Sequence, residues 1–331
     1  MITPNYDWVD NWGGRDQTQE SLSGWAHPGM ATTSDGRIVS CDSGSSEILV
    51  YSQDGDLIQS WLGNFTDAHG ITVVNDDGKD YLWIADNGSK RLPELSYEYP
   101  PGAENKSGMV RKYDLSGKSI LDLSTPDHTD YEQIRYSPTS IAVDETRFGG
   151  LGDVWVADGY GASLVHKFNA QGEYILSIDG SEGSGHFSCP HGIVIDRRKT
   201  NPELYVADRA NGRIQVFDLN GDYLRTFGED LFTTPSEFAI TENLMVVAEL
   251  EARLAILDLE DNLVRYLFPD ELASASDGWP NEISESGDIK RPSRLGPEKF
   301  NSPHGITVDE SGNIYVAEWL IGGRFTKLVL N

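Results

Sequence analysis

Three histidines of this chain sit in one recurring frame. Residues 190–192 read Pro-His-Gly, residues 303–305 read Pro-His-Gly again, and residues 68–70 read Ala-His-Gly. The chain has seven histidines, so His69, His191 and His304 place nearly half of them at one repeated position. Two readings fit. A repeat consensus can use imidazoles to hydrogen-bond neighbouring repeats. Three imidazoles that converge can instead hold one metal, and a tetrahedral ion with three protein ligands keeps a fourth position open for water or substrate. Zinc suits such a redox-silent, imidazole-rich set, and iron, nickel or cobalt are also compatible with the ligand type.

Two further residues carry chemistry that a metal would use. Tyr160 follows Val-Ala-Asp-Gly at 156–159, and Arg209 follows Val-Ala-Asp at 206–208. A tyrosine near a metal and an arginine can have a lowered pKa and act as a general base. An arginine can grip a carboxylate with two parallel hydrogen bonds. Taken singly, each is more often structural; their convergence with the histidines is what matters. The other histidines fit less well. His27 is displaced by one residue from the shared position and should point elsewhere, His128 and His186 fall in connecting loops, and His166 lies within a strand. No Gly-x-Ser-x-Gly elbow and no phosphate-cradling P-loop occurs, and neither Cys41 nor Cys189 has an activating partner in sequence.

The elements that must position these residues are short strands. Runs rich in Ile, Val, Tyr and Phe alternate with polar residues and are punctuated by Gly, Asn and Asp turns. One run recurs six times: RIVSCD 37–42, YLWIAD 81–86, DVWVAD 153–158, ELYVAD 203–208, LMVVAE 244–249 and NIYVAE 313–318. Four strands per unit and six units predict an all-β, six-bladed β-propeller, a single domain over 1–331. The last unit has only three strands, so residues 6–12 are predicted to supply its fourth and close the ring. The three histidines then begin the inner strands of blades two, four and six, with Pro28, Thr139 and Ser236 at the matching positions of the odd blades. Two insertions, 87–108 and 269–301, are predicted to rise over the histidine face.

Bulk composition narrows the partners. Lys plus Arg is 26 against 53 Asp plus Glu, a formal charge of −27. Such a surface repels phosphate backbones and anionic lipid, which argues against nucleic acid and membrane surfaces and for a small-molecule or peptide substrate. No apolar run is long enough to span a bilayer. The N-terminal segment lacks a signal-peptide layout, so a cytoplasmic monomer is the plain expectation, or a secreted or periplasmic one if a leader has been removed. Two cysteines are too few for a disulfide framework.

The repeats resemble NHL repeats over nearly the whole chain. Segments 156–180, 189–196, 206–217 and 302–318 resemble peptidyl-α-hydroxyglycine α-amidating lyase (peptidylamidoglycolate lyase), which splits a hydroxyglycine-extended peptide into a peptide amide and glyoxylate. The resemblance implies zinc on His69, His191 and His304, a catalytic tyrosine at Tyr160 and an active-site arginine at Arg209. It also implies a calcium deeper in the channel, with Ile71 and Met30 giving main-chain carbonyls. The chain departs from that pattern in three places. The second arginine of the family is replaced by Asp42, the calcium-binding aspartate by Gly305, and the family's disulfides have no counterpart. Glu237, at the equivalent step of blade five, is the candidate replacement carboxylate. Arg209, Asp42, Trp319 and Asn87 form the expected substrate-binding set. The resulting expectation is a metal-dependent lyase for a carbinolamide or another small polar α-hydroxy substrate. The alternative is a non-catalytic NHL propeller that binds a protein or peptide.

Overall fold

Alternating runs bounded by tight turns give antiparallel hairpins, because successive side chains point to opposite faces and a short turn reverses the chain. In the computed structural model, which describes residues 4–14, 18–99 and 106–331, this happens six times over. The strands of blade one are Met30–Thr32, Ile38–Cys41, Glu47–Tyr51 and Leu57–Leu62. Blade two uses Ala68–Asp76, Lys79–Asp86, Met109–Asp114 and Ser119–Leu123. Blades three and four start at Ser140–Val143 and Pro190–Asp196, and blades five and six at Pro235–Ile240 and Pro303–Val308. Among the described residues six sheets have four strands each, five in meander order and the sixth completed by the N-terminal strand, which makes the chain an all-β, six-bladed propeller.

The chain divides into two compact units. Residues 69–88 and 106–238 hold most of blade two with blades three and four. There, Trp83, Val110, Tyr136, Ile141, Val154 and Phe168 form one buried cluster, and Trp155, Val165, Ile193, Leu204, Val206 and Phe217 form the next. The other unit spans residues 1–68, 89–105 and 239–331, of which 100–105, part of the first expected insertion, lie outside the described residues. Its clusters join Val246, Leu254, Ile306 and Val316, and Tyr51, Tyr315 and Phe325 with Trp12.

One irregularity recurs. The third strand slips register against the fourth at Val50/Tyr51, Lys112/Tyr113, Lys167/Phe168, Val216/Phe217 and Ile256/Leu257. Such bulges sharpen strand twist, which the outer edge of a blade needs. The acid that ends each second strand is buried and holds loops. Asp158 accepts from Ser137 N at 2.6 Å, Asp208 from Ser188 N at 2.7 Å, and Glu318 from Asn301 N and Ser302 N at 2.6 and 2.9 Å. These acids therefore set where the chain enters the inner strands.

The N-terminal segment completes blade six. Tyr6–Val9 pairs antiparallel with Arg324–Leu330, Tyr6 opposite Leu330 and Val9 opposite Lys327. Trp8 packs on Phe300 at 4.8 Å, and the buried Trp12 packs on Tyr315 at 5.0 Å while its indole N–H donates to Gln53 O. Deleting residues 1–14 would uncover the edge of Arg324–Leu330 and empty this aromatic site. Trp12→Ala alone should cost about 3–5 kcal/mol. The check is calorimetry of the truncated chain, where a Tm equal to that of the intact protein would refute the latch.

Candidate metal centre

His69 and His191 lie in the same compact unit, 2% and 1% exposed, with ring centroids 4.7 Å apart. Each ring is held through Nδ1. His69 Nδ1 is 2.7 Å from Thr139 O, and His191 Nδ1 is 2.8 Å from Ser236 O. In the other unit His304 Nδ1 is 3.4 Å from Pro28 O, a longer contact. A carbonyl can only accept, so each Nδ1 carries the proton and each Nε2 keeps its lone pair. That is the arrangement by which metal-binding histidines are fixed in tautomer and orientation. The accepting residues are those at the matching position of the odd blades. The hydrogen-bonding reading of the repeated histidine therefore holds at Nδ1, while Nε2 is the atom that a metal would use.

The glycine that follows each histidine has a steric cause. A Cβ at Gly70 would lie 2.5 Å from Thr139 O, at Gly192 2.4 Å from Ser236 O, and at Gly305 2.3 Å from Pro28 O. These are the same carbonyls that the imidazoles use. Only glycine lets them approach. His191 and His304 also sit where the first strand slips against the second, between Pro190/Ile193 and Pro303/Gly305, and bulges of this kind re-aim a side chain. His69 and His191 each offer one ring nitrogen, and by donor type and tautomer both are suited to a metal ion; His304 presents the same tautomer within its own unit.

Tyr160 and Arg209 stand beside His191. Tyr160 Oη is 3.2 Å from His191 Nε2, and its ring is edge-on to His69 with centroids 5.1 Å apart. Arg209 Nη1 donates to Tyr160 Oη at 3.3 Å, and Nη2 donates to Cys189 Sγ at 3.2 Å. Burial works against the Arg209 charge, but the Tyr160 and Cys189 groups beside it outweigh burial and hold the guanidinium above its ordinary range. Burial pushes the Cys189 thiol up, and the opposing effect of Arg209 is smaller. Both cysteines are free thiols. Cys189 is thus a neutral neighbour of the arginine and no nucleophile.

The remaining candidates fall in distinct places. Asp42 is buried and accepts from Ser21 Oγ at 2.6 Å, Gly44 N at 2.9 Å and Ser45 N at 3.0 Å, the loop-holding work of its repeat position. Asn87 is buried and its carbonyl accepts from Arg135 Nη1 at 2.7 Å and Ser137 Oγ at 2.8 Å. Met30 and Ile71 are buried on the first strands of their blades. Glu237 accepts from Ser140 Oγ at 3.0 Å, and burial pushes its carboxyl up to about 8 against the hydrogen bonds from Phe238 N and Ser140. Pro28 O occupies the space that a carboxylate-bearing side chain at Gly305 would need, so Glu237 is the one acid of that step. A single protonated carboxyl is a poor match for an ion that takes 6–8 oxygen ligands. No step below runs through calcium.

His166 is wholly buried between Ser177 Oγ at 2.7 Å and Tyr131 Oη at 2.6 Å, and burial lowers its pKa to about 3. His186 is exposed beside Asp179, and His128 caps the turn at Asp130 N. His27 does not point away from the histidine column. Asp67 takes both its backbone N–H and its Nδ1, the latter at 2.9 Å, and this turns the ring onto Trp319 at 5.3 Å and against His304 at 5.4 Å. Sequence offset alone could not show this, because the ring direction is set by a carboxylate 40 residues away.

The family model for the NHL repeat matches residues 300–319, the segment that carries His304. Human NHL repeat-containing protein 3 is 27% identical over 285 residues, covering 82% of this chain and 70% of that protein. Peptidyl-alpha-hydroxyglycine alpha-amidating lyase 1 of Drosophila melanogaster is 28% identical over 286 residues, 80% of this chain but 45% of that one. The chain therefore spans less than half the length of that lyase. A solved streptogramin B lyase aligns with a TM-score of 0.58 at 15% identity, over 99% of this chain and 98% of its own, a likeness of fold.

Two outcomes follow from the packing. Gly192→Ala drives a methyl against Ser236 O and Glu237, so it should lower metal content in elemental analysis along with Tm, whereas an alanine at Gly296, where an added Cβ meets nothing within 4 Å, should change neither. Glu237 holds a proton in the folded state that the unfolded chain releases near 4.5, so its contribution is full at low pH and is lost as pH rises through about 8. Glu237→Gln should therefore raise Tm near pH 9 and leave it unchanged near pH 4. Added calcium that raised the Tm of the wild type at high pH, but not that of the variant, would instead show a cation on this carboxylate.

Proposed function

We propose that this chain is a metal-dependent lyase that breaks the C–N bond of a carbinolamide, such as a peptidyl-α-hydroxyglycine, giving an amide and glyoxylate. The observation that carries this reading is the pairing of two Nδ1-anchored imidazoles, His69 and His191, with a tyrosine and an arginine at His191. His69, His191 and His304 would hold zinc or another divalent transition metal, which when bound supplies Lewis acidity toward a substrate oxygen.

The chain's own residues do the rest. The Arg209 charge beside Oη favours the phenolate form of Tyr160. Tyr160 takes the proton of the substrate hydroxyl. The electron pair left on that oxygen forms the carbonyl as the C–N pair leaves with nitrogen. Tyr160 returns the proton to that nitrogen, so the products are an amide and an aldehyde acid and no co-reactant is consumed. Tyr160 sits 3.2 Å from a ligand nitrogen, which keeps its oxygen in reach of a substrate gathered there. A second reading has its own support, because the human relative is named for its repeats and not for an activity. In it the propeller binds a peptide without turning it over.

Elemental analysis and turnover decide between them. His191→Ala should lose the metal and all turnover. Tyr160→Phe should keep the metal and lose at least about 100-fold in kcat on a hydroxyglycine-extended peptide. Full activity in the phenylalanine variant, or a purified protein without any transition metal, would end the lyase reading.

A further inference from the structure

We propose that Arg91, set among Trp25, Tyr99 and Trp319, is the seat for the substrate's carboxylate on the His304 side of the site. The proposal rests on the lyase reading for the identity of the carboxylate, but the seat itself rests on the packing of one compact unit. Arg91 lies in the segment after the second strand of blade two, outside every motif noted in the sequence. Its backbone is clamped to Trp25 by an isolated antiparallel bridge, with Trp25 N donating to Arg91 O at 3.0 Å. Its guanidinium carbon lies 4.3 Å from the Tyr99 ring centroid, 4.5 Å from that of Trp25 and 5.8 Å from that of Trp319. The two indoles are 4.8 Å apart.

This box is rich in donors and poor in acceptors. The one side-chain hydrogen bond of Arg91 among the described residues runs from Nη1 to Tyr97 O at 3.2 Å. Among the described residues its Nε is buried without an acceptor, and so are the indole nitrogens of Trp25 and Trp319. Trp25 as a whole is 4% exposed. Buried donors are nearly always satisfied, and an indole N–H can do nothing but donate. The chain has 53 acidic side chains and pairs the buried Arg213 with Asp208 and Arg324 with Glu318, yet among the described residues none is paired with Arg91. An arginine left unpaired among orphan donors is a site for an acceptor that arrives from outside. A carboxylate brings two acceptor oxygens and the opposite charge, and it suits a guanidinium fork.

Position gives the seat its use. Trp319 stacks on His27 with rings 18° from parallel, and His27 in turn lies against His304. The box is thus one imidazole removed from a metal ligand. Tyr99, 36% exposed, is its wall toward solvent. Asp42 occupies the place where the family resemblance expects a second arginine, and its carboxylate is tied into a loop. Arg91 restores the missing positive charge from a different blade.

The test uses the full-length, metal-loaded protein and glyoxylate, followed by tryptophan fluorescence and calorimetry. Arg91→Gln should weaken glyoxylate binding at least tenfold and raise KM for the hydroxyglycine peptide with metal content unchanged. Trp319→Phe, which keeps the ring and removes the N–H, should weaken binding less; it also serves if Arg91→Gln fails to fold. Wild-type affinity in both Trp319→Phe and Arg91→Lys, or no glyoxylate binding by the wild type, overturns the seat. The two proposals fail separately. Arg91-dependent glyoxylate binding without any turnover sinks the lyase and keeps the seat, whereas turnover with an unchanged KM in Arg91→Gln sinks the seat and keeps the lyase.

Discussion

The close approach of a backbone carbonyl to a His-Gly pair is the constraint on which the rest of this structure depends. Thr139 O, Ser236 O and Pro28 O each sit within 2.5 Å of where a Cβ would stand on the glycine, and each faces Nδ1 of the adjoining histidine. The contact does two things at once. It packs one inner strand tightly against the next, and it assigns the imidazole proton so that Nε2 is the donor atom left for a metal. Any residue larger than glycine would push the strands apart and release the ring together.

The charge of the molecule is arranged around this core in two different ways. Acids at the ends of the second strands are buried and consumed in holding loops, as Asp158, Asp208 and Glu318 show. They steer the chain into the inner strands and present no charge to a substrate. The groups near the histidines are of the other kind: Arg209 beside Tyr160, and Arg91 within its aromatic box.

The two insertions explain why a propeller with ordinary blades has a walled site. The segment after Asp86 carries Arg91 and Tyr99, and the segment between the fifth and sixth blades carries Trp279, whose ring lies 6.4 Å from that of Trp319. Both therefore deliver aromatic surface to Trp319. Aromatic walls lower the local dielectric around a guanidinium and make its pairing with a carboxylate stronger than at an open surface. The short turns of the repeat have no room for such surface.

Sequence by itself determined the strand count, the six-fold repeat, the closing role of the N-terminal strand and the shared position of His69, His191 and His304. Those features are periodic, and periodicity survives in a linear text. It also placed Tyr160 and Arg209, because both follow a strand end that recurs. Tertiary structure alone decided which nitrogen of each histidine is engaged, why glycine must follow, that Asp42 serves a loop, and that His27 turns onto Trp319 and His304. It alone brought Arg91 to Trp25 and Trp319. The reason is physical: these outcomes hang on single contacts between residues tens to hundreds of positions apart, His27 with Asp67 and His304 with Pro28 among them. Such contacts leave no repeat in the sequence from which they could be read.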